Sequence, residues 1–100
     1  MQFDFKFRHI DTSESLMAHV REQFEKLEKF HLEEAKIDVI FAAQKKTKEV
    51  EVKISGGRAK FFAKCQSEDW YACVDLVVHK LQHQMDKAKS RQRSIRRKAG

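Results

Sequence analysis

Residues 59–85 read AKFFAKCQSEDWYACVDLVVHKLQHQM, and midway through them the spacing of the apolar residues changes. Ala59, Phe61, Ala63 and Cys65 alternate with Lys60, Phe62 and Lys64, the period of a strand buried on one side. After Ser67-Glu68-Asp69 the pattern becomes Tyr71, Val74, Val78, Leu81 and Met85, the three-and-four spacing of a helix with one apolar stripe. Ser67 is the expected N-cap, because its hydroxyl can accept one of the N–H groups left free in a first helical turn. One strand cannot bury that stripe, so a sheet must precede it.

The upstream sequence supplies one. Val50, Val52 and Ile54 alternate as a third strand, and Gly56-Gly57 signals a tight hairpin into the fourth. Lys36 to Phe41 alternates with Ile37, Val39 and Phe41 inward, and Gln44 to Lys48 is a polar turn. Gln2 to Arg8 sets Phe3, Phe5 and Phe7 against Asp4, Lys6 and Arg8. Between them, Ser13 caps a helix of about residues 14 to 30, whose stripe is Leu16, Val20, Phe24, Leu27 and Phe30. Glu22/Lys26 and Glu25/Lys29 are expected as i,i+4 pairs on its polar face. The order is β-α-β-β-β-α, an α+β fold: a four-stranded mixed sheet with both helices on one face. The other face is left wet, with Asp4, Lys6, Arg8, Asp38, Glu49, Glu51, Lys53, Lys60 and Lys64 on it.

One hundred residues make one domain, and the absence of proline with only three glycines predicts mostly regular structure. No apolar run has the length of an export signal or a membrane helix, so a cytoplasmic protein with no membrane partner is expected. Cys65 and Cys73 are read as reduced core thiols rather than a disulfide framework.

Charge is unevenly placed. Residues 1–86 hold 14 Lys and Arg against all 15 Asp and Glu, a net −1. Residues 87–100 hold seven cations (Lys87, Lys89, Arg91, Arg93, Arg96, Arg97 and Lys98) and no acid, which brings the chain to +6. The domain is therefore divided as 1–90, the α/β body, and 91–100, a basic C-terminal extension. With no apolar stripe beyond Met85, that extension is expected to be flexible until a partner orders it. A terminal block of one sign suits a polyanion. At about 100° per residue, Lys80, Lys87 and Arg91 fall within about 40° of one another, a basic ridge read as lying opposite the apolar stripe. Phe62, between Lys60 and Lys64 on the wet face, is a candidate for stacking on a base, and Tyr71 is assigned to the core.

Catalytic and metal chemistry finds no motif. Gly56-Gly57 is no phosphate loop, and no Cys/His set has zinc spacing. His79 and His83 are i,i+4, but His79-Lys80-Leu81-Gln82-His83 lacks the glutamate of H-E-x-x-H, and the pair is read as exposed polar side chains. No enzyme activity, cofactor or metal is expected.

Two stretches carry a resemblance. Glu22-Gln23-Phe24-Glu25-Lys26-Leu27-Glu28-Lys29-Phe30 resembles the first-helix motif of the ribosome hibernation-promoting factors and ribosome-associated inhibitors (sigma-54 modulation protein-like, short form). Asp69-Trp70-Tyr71-Ala72-Cys73-Val74-Asp75, with Lys80-Leu81, Gln84-Met85, Lys87 and Lys89, resembles their second-helix pattern D-M-Y-A-A-I-D-x-x-x-D-K-L-x-x-Q-L. The resemblance covers about residues 1–90. It departs at Trp70, which stands for a usual methionine, and at His79 and His83, which stand for an acid and a base.

The resemblance implies binding of the small ribosomal subunit and its rRNA, steric block of translation, and protection of idle ribosomes in stress or stationary phase. A helper protein for ribosome dimerisation is a further implied partner. The long form's C-terminal dimerisation domain is not expected here, and off the ribosome the chain is expected to be a monomer. No DNA partner is expected. The RNA-binding residues carried over are Lys80, Lys87 and Lys89, with Lys26 and Lys29 secondary. Arg91, Arg93 and Arg8 join them from charge placement. Asp69, Tyr71 and Asp75 match the motif but are read as helix start, core and surface. The alternative is a general module for double-stranded or structured RNA, not specific to the ribosome.

Overall fold

The computed structural model describes residues 1–56 and 60–99, with side chains as far as Ser90. Its elements are β1 (Gln2–Arg8), α1 (Glu14–Phe24), a 3₁₀ segment (Glu25–Phe30), β2 (Lys36–Gln44), β3 (Thr47–Ser55), β4 (Phe61–Ser67) and α2 (Trp70–Ala99). The four strands form one sheet in the order β1-β2-β3-β4. β1 runs parallel to β2, and the other two pairings are antiparallel. This is the mixed α+β sheet expected from the alternation.

Alternation fixes which residues face the helices. Ile37, Val39 and Phe41 of β2 are buried, as are Val50, Val52 and Ile54 of β3 and Ala63 and Cys65 of β4. They meet Leu16, Val20 and Phe24 of α1, Leu27 of the 3₁₀ segment, and Cys73, Val74, Val77, Val78, Leu81 and Met85 of α2. Phe3 packs edge-on against Phe24 with centroids 5.4 Å apart, and Phe7 stacks on Phe41 at 4.7 Å.

Five details differ from the sequence expectation. The first helix tightens to 3₁₀ geometry at Glu25 and ends at His31 in the left-handed region, φ 58°. The spacing of Phe24, Leu27 and Phe30, three and three, matches that tighter winding. Glu25 and Lys29 therefore do not share a face, and Lys29 instead reaches Asp86 of α2 at 3.9 Å.

The turn between β2 and β3 is only Lys45-Lys46, since Gln44 already pairs with Thr47. The connection from β3 to β4 is longer than a tight hairpin, because β4 begins at Phe61. Ala59, expected in that strand, lies outside the described residues along with Gly57 and Arg58. Gly56 is required where it stands: its φ is +87°, and a Cβ there would lie 3.1 Å from the Glu34 carbonyl oxygen.

The cap of α2 is Asp69, not Ser67. The Tyr71 N–H donates to Asp69 Oδ1 at 3.0 Å, and the Cys73 N–H donates to the Asp69 carbonyl at 3.0 Å. Ser67 Oγ instead accepts from the Asp69 N–H, forming the turn that precedes the helix. Ser13 caps α1 as expected, accepting from the Leu16 N–H at 3.2 Å.

Tyr71 is not in the core. It is 43% exposed, and its hydroxyl donates to Ser15 Oγ on α1 at 3.0 Å. Val77, fully buried, takes the place assigned to it. The buried arc of α2 is thereby rotated towards Lys80.

Candidate functional site

That rotation moves the basic ridge. With Cys73, Val77 and Leu81 all buried, Lys80 and Lys87 lie on the flank of α2 rather than opposite its stripe. The flank is the one beside β4. There the Lys80 ammonium donates to the Lys64 carbonyl at 2.9 Å. One turn on, Gln84 Nε2 donates to the Phe62 carbonyl at 2.7 Å and Gln84 Oε1 accepts from the Phe62 N–H at 3.4 Å. The side-chain amide thus pairs with the edge strand as another strand's peptide would. Lys80, the first residue carried over for RNA, has this structural task as well; its side chain remains exposed.

Lys89 does not share that flank. Two residues beyond Lys87, it lies roughly 160° away around the helix. There it and Lys29 border a hollow of about 270 Å³ floored by Phe30, Leu32, Phe61 and Met85. Lys26 and Lys29, three apart in the 3₁₀ segment, stack on one face and extend this second basic group. The Lys29–Asp86 contact joins side chains that are each about half exposed, so it fixes Lys29 only weakly.

Eight candidates therefore fall into separate sets. Lys80 and Lys87 lie beside β4, while Lys26, Lys29 and Lys89 lie beside the end of the first helix. Arg8 is apart from both, exposed at the end of β1 on the uncovered sheet face. The α2 helix continues through Arg91 and Arg93, but their side chains lie outside the described residues.

The uncovered sheet face has a different character. Across the strands run Asp4, Asp38, Lys53 and Phe62 in one row and Lys6, Ile40, Glu51 and Lys64 in the next. Between them is a hollow of about 370 Å³. Acids and bases interleave, so the face offers no sustained positive field for phosphates. Phe62 is 50% exposed on it, as the stacking candidate requires. Glu49 accepts from Gln66 Nε2 at 3.0 Å and lies 3.1 Å from the Lys64 ammonium. The Gln66 bond, helped by Lys64 and the more distant Arg8, holds its carboxyl below the usual value against the opposing effect of burial.

The motif residues Tyr71 and Asp75 have interhelical partners that sequence reasoning missed. Asp75 Oδ1 lies 2.8 Å from His19 Nε2, and the His19 ring packs edge-on against Tyr71 at 5.1 Å. With Tyr71–Ser15, this makes a polar seam holding α1 against α2. The motif's two acids and tyrosine are thus accounted for by capping and helix docking.

The remaining reactive groups are weak candidates for chemistry. Cys65 and Cys73 are free and buried. The Cys73 thiol donates to the Cys65 carbonyl at 3.0 Å. Burial, and then the neighbouring Cys65, push it up to about 12 from an ordinary 9.0, far from the range of a reactive thiolate. His79 and His83 are exposed with ring centroids 5.1 Å apart. Among the described residues no group of three or more His, Cys, Asp or Glu could hold a metal ion. No helix among the described residues is long and apolar enough to cross a membrane.

The pattern of the whole chain decides what these clusters belong to. Residues 3–93 match the family model described as sigma 54 modulation protein / S30EA ribosomal protein. The chain belongs to this family. A ribosome hibernation promoting factor of Azotobacter vinelandii is 29% identical over 92 residues, 92% of this chain and 86% of the relative. One from Pseudomonas putida is 26% identical over 95 residues, 95% and 93% of the two chains. Among solved structures, a ribosomal subunit interface protein from Coxiella burnetii superposes with a TM-score of 0.75 at 26% identity, covering 90% of this chain and 99% of that one. The N-terminal domain of Thermus thermophilus Protein Y shares the fold, with a TM-score of 0.79 at 17% identity over 87% and 98% of the two chains. The resemblance read from the two helix motifs is thus a family membership spanning nearly the whole sequence.

Proposed function

We propose that this protein binds the ribosome at its small subunit, blocks translation by occupying space there, and stabilises idle ribosomes during stress or stationary phase. The observation that carries the reading is the near full-length match to a family whose relatives are named ribosome hibernation promoting factors. The basic placement is consistent with it. A net −1 body bears local cation groups at the distal part of α2, a pattern suited to phosphate contacts that give affinity with little sequence selectivity.

In this reading Lys87 contacts rRNA from one flank of α2, and Lys89, Lys29 and Lys26 contact it from the other. The helix is straddled rather than laid flat on the RNA. Arg91 and Arg93 extend the contact, Arg8 adds one from the sheet face, and Lys80 chiefly positions α2 on β4. The protein acts by occlusion and not as an enzyme, in the cytoplasm. Whether single ribosomes or helper-assisted dimers result depends on partners outside this chain.

Ribosome profiles from growing and starved cells, probed for the protein, test the proposal. It should move with the small subunit or whole ribosomes in starved cells and be sparse on translating polysomes. Sedimentation only at the top of the gradient in both conditions contradicts it. Equal competition by plain duplex RNA would favour the general RNA-binding module instead.

A further inference from the structure

The sheet's two edges are unequal. β4 has its outward groups at Phe62 and Lys64 taken by Gln84 and Lys80 of α2. Among the described residues β1 has no such cover. In a parallel ladder each residue directs its N–H and C=O to the same side, alternating along the strand. Gln2 lies opposite Lys36, and its N–H donates to the Ala35 carbonyl at 2.9 Å, so the even-numbered residues of β1 face β2. Phe3, Phe5 and Phe7 therefore point their N–H and C=O groups away from the sheet. Outside the β1–β2 ladder, no hydrogen bond among the described residues involves these three. Their side chains are only half-buried. An open edge of this kind is a template for another strand.

We propose that the strand it accepts is β1 of a second copy, joined antiparallel with Phe5 opposite Phe5 to make a continuous eight-stranded sheet. The sequence QFDFKFR is complementary to itself in that register. Phe3 of one copy stands opposite Phe7 of the other, and the outward N–H and C=O groups of these residues can form about six hydrogen bonds. Asp4 stands opposite Lys6, and Lys6 opposite Asp4, at the positions between hydrogen-bonded pairs where opposed side chains come closest. Gln2 stands opposite Arg8. The neighbouring registers that keep Phe opposite Phe set Asp4 against Asp4 or Lys6 against Lys6. Charge thus selects one alignment, and the half-buried phenylalanines gain cover across the junction. Asp4 and Lys6, whose charges are reversed below, are outside the proposed rRNA contacts, of which only Arg8 lies on β1, so the pairing and the ribosome contact can be measured separately.

Sedimentation equilibrium of the full chain, from about 10 µM to about 1 mM, tests the proposal. The wild type should be monomeric at the low end and increasingly dimeric at the high end. Lys6→Asp should weaken dimerisation about tenfold, since it turns two attractions into repulsions. Combining Asp4→Lys with Lys6→Asp should restore it. Both side chains are exposed, so circular dichroism should show every variant folded. Amide exchange at Phe5 should slow with concentration in the wild type and in the double variant alone. A wild type monomeric throughout, or a dimer indifferent to the single reversal, overturns the proposal.

Discussion

One helix has two unlike parts along its length. From Trp70 to Met85, α2 is fixed by buried Cys73, Val74, Val77, Val78, Leu81 and Met85, by its Asp69 cap, by the Tyr71 and Asp75 links to α1, and by Lys80 and Gln84 on the β4 edge. From Lys87 onward the sequence carries seven cations, and Ile95 is its one large apolar residue. The first part places the second. Stability and binding should therefore respond to changes in different parts of the same helix.

Leu81→Ala should have the largest effect. Leu81 is fully buried, and its truncation should cost about 2–5 kcal/mol in urea unfolding. Ribosome affinity, counted per folded molecule, should be unchanged. A loss of affinity in the folded fraction would mean that the anchored part also contacts RNA.

Alkaline titration comes next. The Cys73 thiol of the unfolded chain ionises near 9.0, whereas burial holds the folded one up to about 12. Between these values the unfolded state has released a proton that the folded state keeps. Stability should then fall as pH rises, by about 1.4 kcal/mol per unit at most, and below 9 this dependence should vanish. Urea unfolding of wild type and Cys73→Ala across this range should show that slope in the wild type only.

Asp69→Ala should cost about 1 kcal/mol through loss of the cap. Thermal unfolding checks it, and Ser67→Ala should cost less if Asp69 is the true cap. Smallest in stability are Lys87→Ala and Lys89→Ala, expected within about 0.5 kcal/mol of wild type. If either unfolds the domain, the division of α2 fails.

Most of the architecture was legible because alternation and helical spacing are direct records of burial. Phe3 to Phe7, Ile37 to Phe41 and Val50 to Ile54 each face the way their period required. Even the 3₁₀ end of the first helix was written in the three-residue steps from Phe24 to Phe30. The face of α2 was harder. Val74-Asp75-Leu76-Val77-Val78 is apolar on more than one side, so spacing alone allowed Tyr71 a core place that the packing of β3 and β4 gives to Val77. Ser67 and Asp69 are both good caps, and only the position of the first helical hydrogen bond separates them.

The site was less legible still. Charge counting registers Lys80 but not the Lys64 carbonyl it reaches, since a backbone acceptor leaves no mark in sequence. Nor does a linear count show that Lys87 and Lys89 leave opposite flanks, or that Lys29, 60 residues earlier, borders the same hollow as Lys89. The grouping of cations needed the fold; their abundance did not.

Co-sedimentation with purified small ribosomal subunits over a series of salt concentrations measures the central claim most directly. The logarithm of the affinity should fall linearly with the logarithm of salt, and Lys87→Ala and Lys89→Ala should each reduce that slope by about one. A protein that stays in the supernatant with small subunits at low salt, or binds with a slope unchanged by both substitutions, contradicts the account.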